Sequence, residues 1–537
     1  MKIALLVDDF DVPQWTYAVI QHIRSSERLT LVVVVVPDQH NHDVSHPRRP
    51  LAYRLFRYLD RFFFKTKPDA FARRPLVWEK TTPVIPARIQ RAGMKNTFSE
   101  EGVVRIKSYQ PDVILRFGFG IVSGAILTAA PYGVWSLHHD DNDVIRGGPP
   151  GFWEWFRKDL VTGVTLQRLN ETLDGGEVVS KAFTATDFTS LIRNQNRVFW
   201  KGVDLLTTAL EKLAEEGGTT ASVNRDVSFY SEILYRDPNT WQSCAAFFKL
   251  LTRTIRRTWS RWVGFNQWCI FFRISKSSPS FTLRNFRKLT PPRDRFWADP
   301  FVVSRDSKHF LFVEEFFYNR GKGQISCLVL DEQGAVISEA RPVVKTPDHL
   351  SYPFVFEMDN KFWMIPESAE RKTVDLYECT EFPWNWEFRK TLMSGVEAFD
   401  STLHHHDGCW WLFQTRCAYP GLSAHDTLHL YFTDNLMDGT WTPHPQNPVL
   451  SDPRGARPAG KIFVHQGNLF RPSQCCVPRY GYGMYLNRIV TLSTTEYKEE
   501  KVSEILPAWN KRLRSTHTLN FNSQITVVDG QVRRSAI

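Results

Sequence analysis

No cysteine precedes Cys244, and the eight from there to Cys476 include no C-x-x-C pair, so the usual spacing of a structural zinc site is missing. Cys475 and Cys476 are adjacent and could close only a strained vicinal bridge. Reduced thiols scattered through a core are the expectation, with no metal. Long apolar runs are also absent. The densest, residues 31–36, falls far short of the roughly 18 to 20 residues that cross a bilayer. Asp8 and Asp9 interrupt the opening MKIALLVDDF, which reads as a first β-strand rather than a secretory signal and points to a cytoplasmic protein. Charged residues are few, at 23%, against 42% hydrophobic and 14% aromatic. That balance excludes a disordered tail and leaves ample material for a core.

One absence is local. Residues 240–290 contain no Asp or Glu but carry ten basic residues, matching the whole net charge of +10. Aromatics are interleaved there, among them Trp241, Phe248, Trp259, Trp262, Trp268, Phe271 and Phe272. Rings that enter a headgroup layer beside cations that meet lipid phosphate suit an anionic membrane surface, so peripheral contact with the inner face of a membrane is one expectation. A basic helical linker whose charges are simply solvated is the other. No nucleic-acid-binding module accompanies the charge, and no nucleic-acid partner is expected.

A chain of 537 residues has the length of two to four domains. Residues 1–216 alternate short β-branched runs with helical stretches, the pattern of an α/β domain with a mostly parallel sheet. Residues 51–75, where Arg and Phe interleave, read as an insertion. Residues 217–290 read as the basic aromatic helical linker. From residue 291 to 537 short aromatic strands alternate with turns, and similar clusters recur every 45 to 55 residues or so, as blades of a β-propeller would. The count is five blades, six at most.

The densest chemical pattern lies in residues 133–181: GVWSLHHDDNDVIRGG, then GVT at Gly163, Val164 and Thr165, then LDGG from Leu173. This order and spacing resemble the formyltransferase family, which includes methionyl-tRNA and sugar N-formyltransferases, and the resemblance covers about 180 residues. It implies a Rossmann-like fold and transfer of a formyl group from 10-formyltetrahydrofolate, with no metal. It implies that His138 stabilises the tetrahedral oxyanion or moves the proton, and that Asp174, 36 residues on, holds the imidazole. Phe117, Gly118, Phe119, Gly120 and Ile121 would lie along the folate edge. Arg146 and Gly147 fall at the family's R-G, and Arg116 or Arg146 could meet an anionic group. Ser136 stands where the family has Asn, so the amide donor to the oxyanion must come from the serine hydroxyl, from a neighbour such as Asn142, or from water.

The second half, with WADPF, VEEF, SYPFVFE, IPES and RPAG, is similar to five-bladed glycoside hydrolase propellers and to the propeller domain attached to plant glucosamine inositolphosphorylceramide transferases. The resemblance implies an inner-strand acid at Asp299. Asp299, Glu315, Glu367, Asp400, Arg457, Arg471 and His517 would line a central funnel, meeting sugar hydroxyls. Glycoside hydrolysis would need two carboxylates at a set separation, for which Glu357, Glu367 or Asp400 could complete the pair. His404, His405 and His406 read as a blade edge rather than a metal site. The leading expectation is an N-formyltransferase acting on a nucleotide- or lipid-linked amino sugar in surface polysaccharide or glycolipid synthesis. The alternatives are a glycosidase or glycosyl-transfer module centred on the propeller, and a non-catalytic glycan-binding protein with a degenerate formyltransferase domain.

Overall fold

A computed structural model describes residues 1–38, 49–78, 82–92, 95–173, 175–217, 233–275, 283 and 285–535. The chain divides into two units, Met1–Ile255 with Tyr419–Leu422, and Arg256–Ala418 with Ser423–Ile537.

The first unit is built on a seven-stranded sheet: β1 (Lys2–Leu6), β2 (Thr30–Pro37), β3 (Val84–Ala87), β4 (Val113–Arg116), β5 (Val134–His138), β6 (Val161–Arg168) and β7 (Glu177–Ala185), ordered β7-β6-β5-β4-β1-β2-β3. The five strands from β5 to β3 are parallel, and β6 and β7 complete one edge antiparallel. Burial on both faces accounts for the runs of Ile, Leu and Val in β1 and β2, because parallel strands are covered by helices above and below. Among the described residues six helices accompany the sheet: α1 (Gln14–Ser25), α2 (Leu51–Phe63), α3 (Glu100–Lys107), α4 (Phe152–Arg157), α5 (Leu191–Glu215) and α6 (Thr240–Val263), which from Arg256 on belongs to the second unit. Ser190 caps α5, its side chain accepting from the Arg193 amide. Residues 51–63, read from sequence as part of an insertion, are α2. Its Tyr53 and Phe56 join Trp155, Ala246 and Leu250 in one buried cluster.

The second unit is a five-bladed propeller. Four blades are consecutive four-stranded meanders spanning residues 295–344, 351–394, 398–443 and 463–505. The fifth is composite: Leu519–Phe521 and Ile525–Ser535 come from the C-terminal side, Gly264–Ile274 and Arg287–Leu289 from ahead of blade one. This corrects the reading of residues 217–290 as a helical linker. Among its described residues only 240–263 are helix, and Gly264–Ile274 runs antiparallel to Ile525–Ser535 through eleven paired positions. Trp268, Phe271 and Phe272 consequently lie in the propeller core rather than on a surface. Residues 218–232, 276–282 and 284 of that segment lie outside the described residues.

Blades one to three share a local device. The inner strands Arg295–Arg305, Ser351–Met358 and Ala398–His406 each carry a register shift at the same place, and the residue there has positive φ: Asp299 (50°), Tyr352 (41°) and Asp400 (51°). Holding a side chain other than glycine in this region costs of the order of 1 kcal/mol or more, and the cost recurs where one group per blade is re-aimed.

Candidate functional site

In the first unit the C-terminal ends of adjacent parallel strands bring the chemistry together. Arg116 closes β4, and its Nε and Nη2 donate to Ser136 Oγ on β5 (3.1 and 2.8 Å) while Nη1 donates to the Gly120 carbonyl. With both lone pairs of the hydroxyl oxygen engaged, the Ser136 proton is left to be donated. Ser136 and His138 sit two residues apart, on the same side of the strand. His138 Nε2 lies 3.0 Å from the Ile145 carbonyl oxygen. A carbonyl only accepts, so Nε2 carries the hydrogen. Asp174, expected to hold that imidazole, lies outside the described residues.

Arg116 and Ser136 face a cavity of ≈ 200 Å³ walled by Trp15, Phe117, His139 and Phe199. His139 stacks on Phe199 (centroids 3.6 Å apart, 11° between planes) with Trp15 edge-on at 5.3 Å. Burial, helped by the neighbouring charges of His138 and Arg116, pushes the His139 pKa down to about 3, so the ring is neutral, and its Nε2 has no hydrogen-bond partner. Sequence reasoning missed this residue, as well as Trp15 and Phe199, because an aromatic wall assembled from three separate elements leaves no linear pattern.

Several expected folate contacts sit elsewhere. Phe117 lines the cavity, but Phe119 is buried with φ of 64°, stacked on Phe98, and its amide donates to Asp8 Oδ1 (2.6 Å). Gly118 packs against Asp8 so closely that any side chain there would collide with it. Gly120 lends its carbonyl to Arg116, and Ile121 begins a short strand paired with Lys95. These four residues form a structural turn. Arg146 and Gly147 pair with Leu234 and Tyr235. The positive φ of Gly147 (88°) and the tight approach of the Tyr235 carbonyl leave no room for a Cβ. The Arg146 guanidinium donates to the Leu173 carbonyl (2.8 Å). Asn142, suggested as a substitute donor, is fully buried with its Oδ1 toward Thr165, and is not among the cavity walls. The acidic run around it is internally tied: Lys181 bridges Asp141 and Asp143 (2.7 and 2.6 Å), and Asp140 accepts from the Gly151 amide (2.7 Å). Glu154 of α4 lies buried beside Asp140, and burial raises its pKa to about 7.

In the propeller, the re-aimed acids of blades one and three meet at the centre. Arg457 grips Asp400 with two nitrogens (Nε to Oδ2 2.5 Å, Nη2 to Oδ1 3.0 Å) and reaches Glu367 with Nη2 (3.2 Å). Gln474 adds a third donor to Asp400 (2.7 Å). Asp299 accepts from the Thr518 hydroxyl (2.7 Å), and His517 is paired with Asp529 (2.5 Å) beneath the Trp268 ring. Burial raises the Asp299 pKa to about 6 and carries Glu367 and Glu314 well above the usual carboxylate range, with neighbouring acids adding to it. His517 is raised despite burial, because Asp529 and Asp299 stabilise its charged form.

Two of the expected funnel residues are not here. Glu315 points to the opposite side of its strand, where Arg295, Trp297, Gln324 and Ser326 bond it, and Glu314 takes its place at the centre. Arg471 is inside blade four, bonded to Glu499 and the Gly455 carbonyl. The remaining five, Asp299, Glu367, Asp400, Arg457 and His517, do converge, but every one of them is buried. Tyr480, on the surface, covers Arg457 at 5.1 Å and leans on His517. Among the described residues Asp299, His517 and Asp529 bring three ligand-type atoms within 4.8 Å of one another, yet the His517–Asp529 hydrogen bond already satisfies two of them. Glu357 stands apart from this cluster, on the wall of a second cavity. His404 and His406 share a strand face, as expected, their rings 5.9 Å apart, before the turn at Asp407 and Gly408.

Comparison with known proteins divides the chain in the same way. Residues 276–530 match the family described as glucosamine inositolphosphorylceramide transferase 1, N-terminal. The protein of that name from Oryza sativa subsp. japonica is 35% identical over 210 residues, covering 39% of this chain and 28% of the relative. The chain therefore spans less than a third of the length of that plant relative. Methionyl-tRNA formyltransferase from Chlorobium chlorochromatii (strain CaD3) is 27% identical over 182 residues, 32% of this chain and 57% of the relative. Among solved structures, glycinamide ribonucleotide transformylase 1 from Symbiobacterium toebii aligns at 15% identity and a TM-score of 0.28, covering 40% of this chain and 88% of that one.

Proposed function

We propose that this chain, a formyltransferase-like α/β unit joined to a propeller of the kind found in the plant glycolipid transferases, moves a formyl group from 10-formyltetrahydrofolate to the amine of a lipid- or nucleotide-linked amino sugar. The observation that carries this reading is the Ser136 hydroxyl, anchored twice by Arg116 at the rim of the aromatic cavity and aligned with His138 on β5. The serine thus replaces the family's amide with a hydroxyl whose proton has one direction left to go.

The acceptor nitrogen attacks the formyl carbon, and the carbonyl oxygen gathers negative charge. The Ser136 proton and the Arg116 guanidinium are placed to meet that charge, the kind of donor worth about 3 to 4 kcal/mol in other acyl transfers. The nitrogen's proton passes to the His138 imidazole and returns to the folate nitrogen as the carbon–nitrogen bond breaks. The product is a formamide and tetrahydrofolate. The walls of Trp15, Phe117 and Phe199 suit a flat heteroaromatic ring. At ≈ 200 Å³ the cavity takes that ring but not a whole folate, since pockets for whole ligands run from about 300 Å³ upward.

The hydrolase alternative for the propeller is disfavoured by one arrangement: Asp400 is neutralised by a two-point contact with Arg457 and a third donor, so it is not available as an acid or base. The propeller is assigned a recognition role. Purified full-length chain is to be incubated with 10-formyltetrahydrofolate and a panel of nucleotide- and lipid-linked amino sugars, following tetrahydrofolate release and formamide by mass spectrometry. Turnover that collapses in His138→Ala supports the reading. No turnover on any acceptor, or turnover equal in His138→Ala, overturns it.

A further inference from the structure

The basic segment and the sequence once taken for an insertion share a property that the transfer chemistry does not use. Helix α6 is 24 residues long, about 36 Å. Trp241, Phe248, Leu251, Ile255, Trp259 and Trp262 follow one another along it in steps of seven, three, four, four and three. Those steps keep to one face of a 3.6-residue helix, and all six side chains are exposed, Trp259 at 71% and Trp262 at 80%. The face that holds Ala246 and Leu250 is buried, so the helix already has a core and the aromatic stripe is an additional surface.

Helix α2 repeats the design. Tyr53 and Phe56 enter the same buried cluster as Ala246 and Leu250, while Leu51, Leu55, Tyr58 and Phe62, in steps of four, three and four, are exposed. Its one acid, Asp60, is turned inward, where its carboxylate accepts from the Ile192 amide (2.7 Å). Arg54 remains on the exposed side, while Arg61 is paired with Asp69 (3.0 Å). On α6 there is no acid at all, and Arg256 is exposed beside the stripe.

We infer that α2 and α6 are interfacial anchors that seat the chain on an anionic phospholipid surface, their aromatic stripes entering the headgroup layer and their arginines meeting lipid phosphates. Charge decides among occupants. A second copy of this chain would set these arginines against its own, and no acid on either exposed helix face is available to answer them. A lipid surface supplies both the apolar depth for Trp, Phe and Leu and the negative charge. The helices lie on the surface rather than cross it, since no helix among the described residues is long and apolar enough to span a bilayer. This inference is independent of the formyl-transfer reading.

The test uses full-length protein and vesicles of phosphatidylcholine, pure or with about 30% phosphatidylglycerol, in flotation at low and high salt. Binding to the anionic vesicles, loss at high salt, and a blue-shifted tryptophan emission on binding are expected. Trp259→Glu with Trp262→Glu abolishes flotation, and Phe62→Glu weakens it, while circular dichroism stays unchanged because all three side chains are exposed. Arg54→Gln and Arg256→Gln each lower anionic-vesicle affinity about fivefold. Equal binding to neutral and anionic vesicles overturns the inference. So does an absence of vesicle binding, whether or not the chain self-associates through Trp259 and Trp262 in sedimentation.

Discussion

Replacing Arg457 with methionine tests the electrostatic design of the propeller centre. The wild-type guanidinium satisfies Asp400 at 2.5 and 3.0 Å, Glu367 at 3.2 Å and the Ala424 carbonyl at 3.2 Å, and it sits beneath Tyr480. Methionine keeps much of the volume and removes the charge. Asp400 would then retain only Gln474 and the Thr518–Asp299 side of the cluster would gain an unanswered negative neighbour. Removing one partner of a buried pair costs about 3 to 5 kcal/mol, more than the pair's net worth, because the abandoned ion stays desolvated. The loss is expected at pH 7 or above in urea titrations of the full chain, in the transition that the variant moves. It shrinks toward pH 5, since a stranded carboxylate has a folded pKa above its unfolded one and is stabilised as it takes up a proton. Adding Asp400→Asn to Arg457→Met returns most of the stability. A loss below about 1 kcal/mol, or a double variant no better than the single one, refutes the view that the guanidinium serves to neutralise these acids.

Ser136→Ala removes the proposed oxyanion donor and should lower formyl transfer by about 10² to 10³, with KM for the folate little changed, in steady-state kinetics. His138→Ala should lower it by about 10² to 10⁴ in the same assay. Glu154 has a raised pKa, about 7, so the folded state holds a proton that the unfolded chain releases. Its contribution is complete below the unfolded value near 4.5 and is lost as pH rises through 7, about 3 kcal/mol in all at order-of-magnitude level. Melting temperatures of wild type and Glu154→Gln should therefore diverge between pH 5.5 and pH 8, the variant being the flatter. Gly147→Ala should cost more than about 1 kcal/mol and expose the segment around Tyr235 to proteolysis, because both the positive φ and the Tyr235 carbonyl exclude a Cβ.

Strand periodicity and motif order were enough to read the two architectures, since a buried parallel strand and a propeller meander each impose a short-range pattern. What failed did so for identifiable reasons. Glu314 and Glu315 are neighbours in a run of two acids, and composition cannot say which parity faces the centre. The pairing of Trp297 with Glu315 and Ala298 with Glu314 decides it. Residues 264–274 were taken for helix because their aromatic and basic texture continues that of α6. Their partner, Ile525–Ser535, is more than 250 positions away, beyond any local signal. The match of R-G to the family pattern picked out Arg146 and Gly147 as cofactor contacts. Their role in this chain is to receive Leu234 and Tyr235. Asp529 and Tyr480 entered the propeller cluster unannounced, one from the strand Ile525–Ser535 inside blade five and one from a loop, because nothing in either's neighbours marks the direction of the side chain.

Making blade five from both ends of the propeller has a consequence for how the ring comes into being. Synthesis delivers Gly264–Ile274 more than two hundred and fifty residues before the strand that completes its ladder. Until then its Ile270 and Phe272 have no finished wall against which to rest. Four blades can stack as they emerge, but the circle stays open, and its two outer edges unprotected, until Ile525–Ser535 arrives as the clasp.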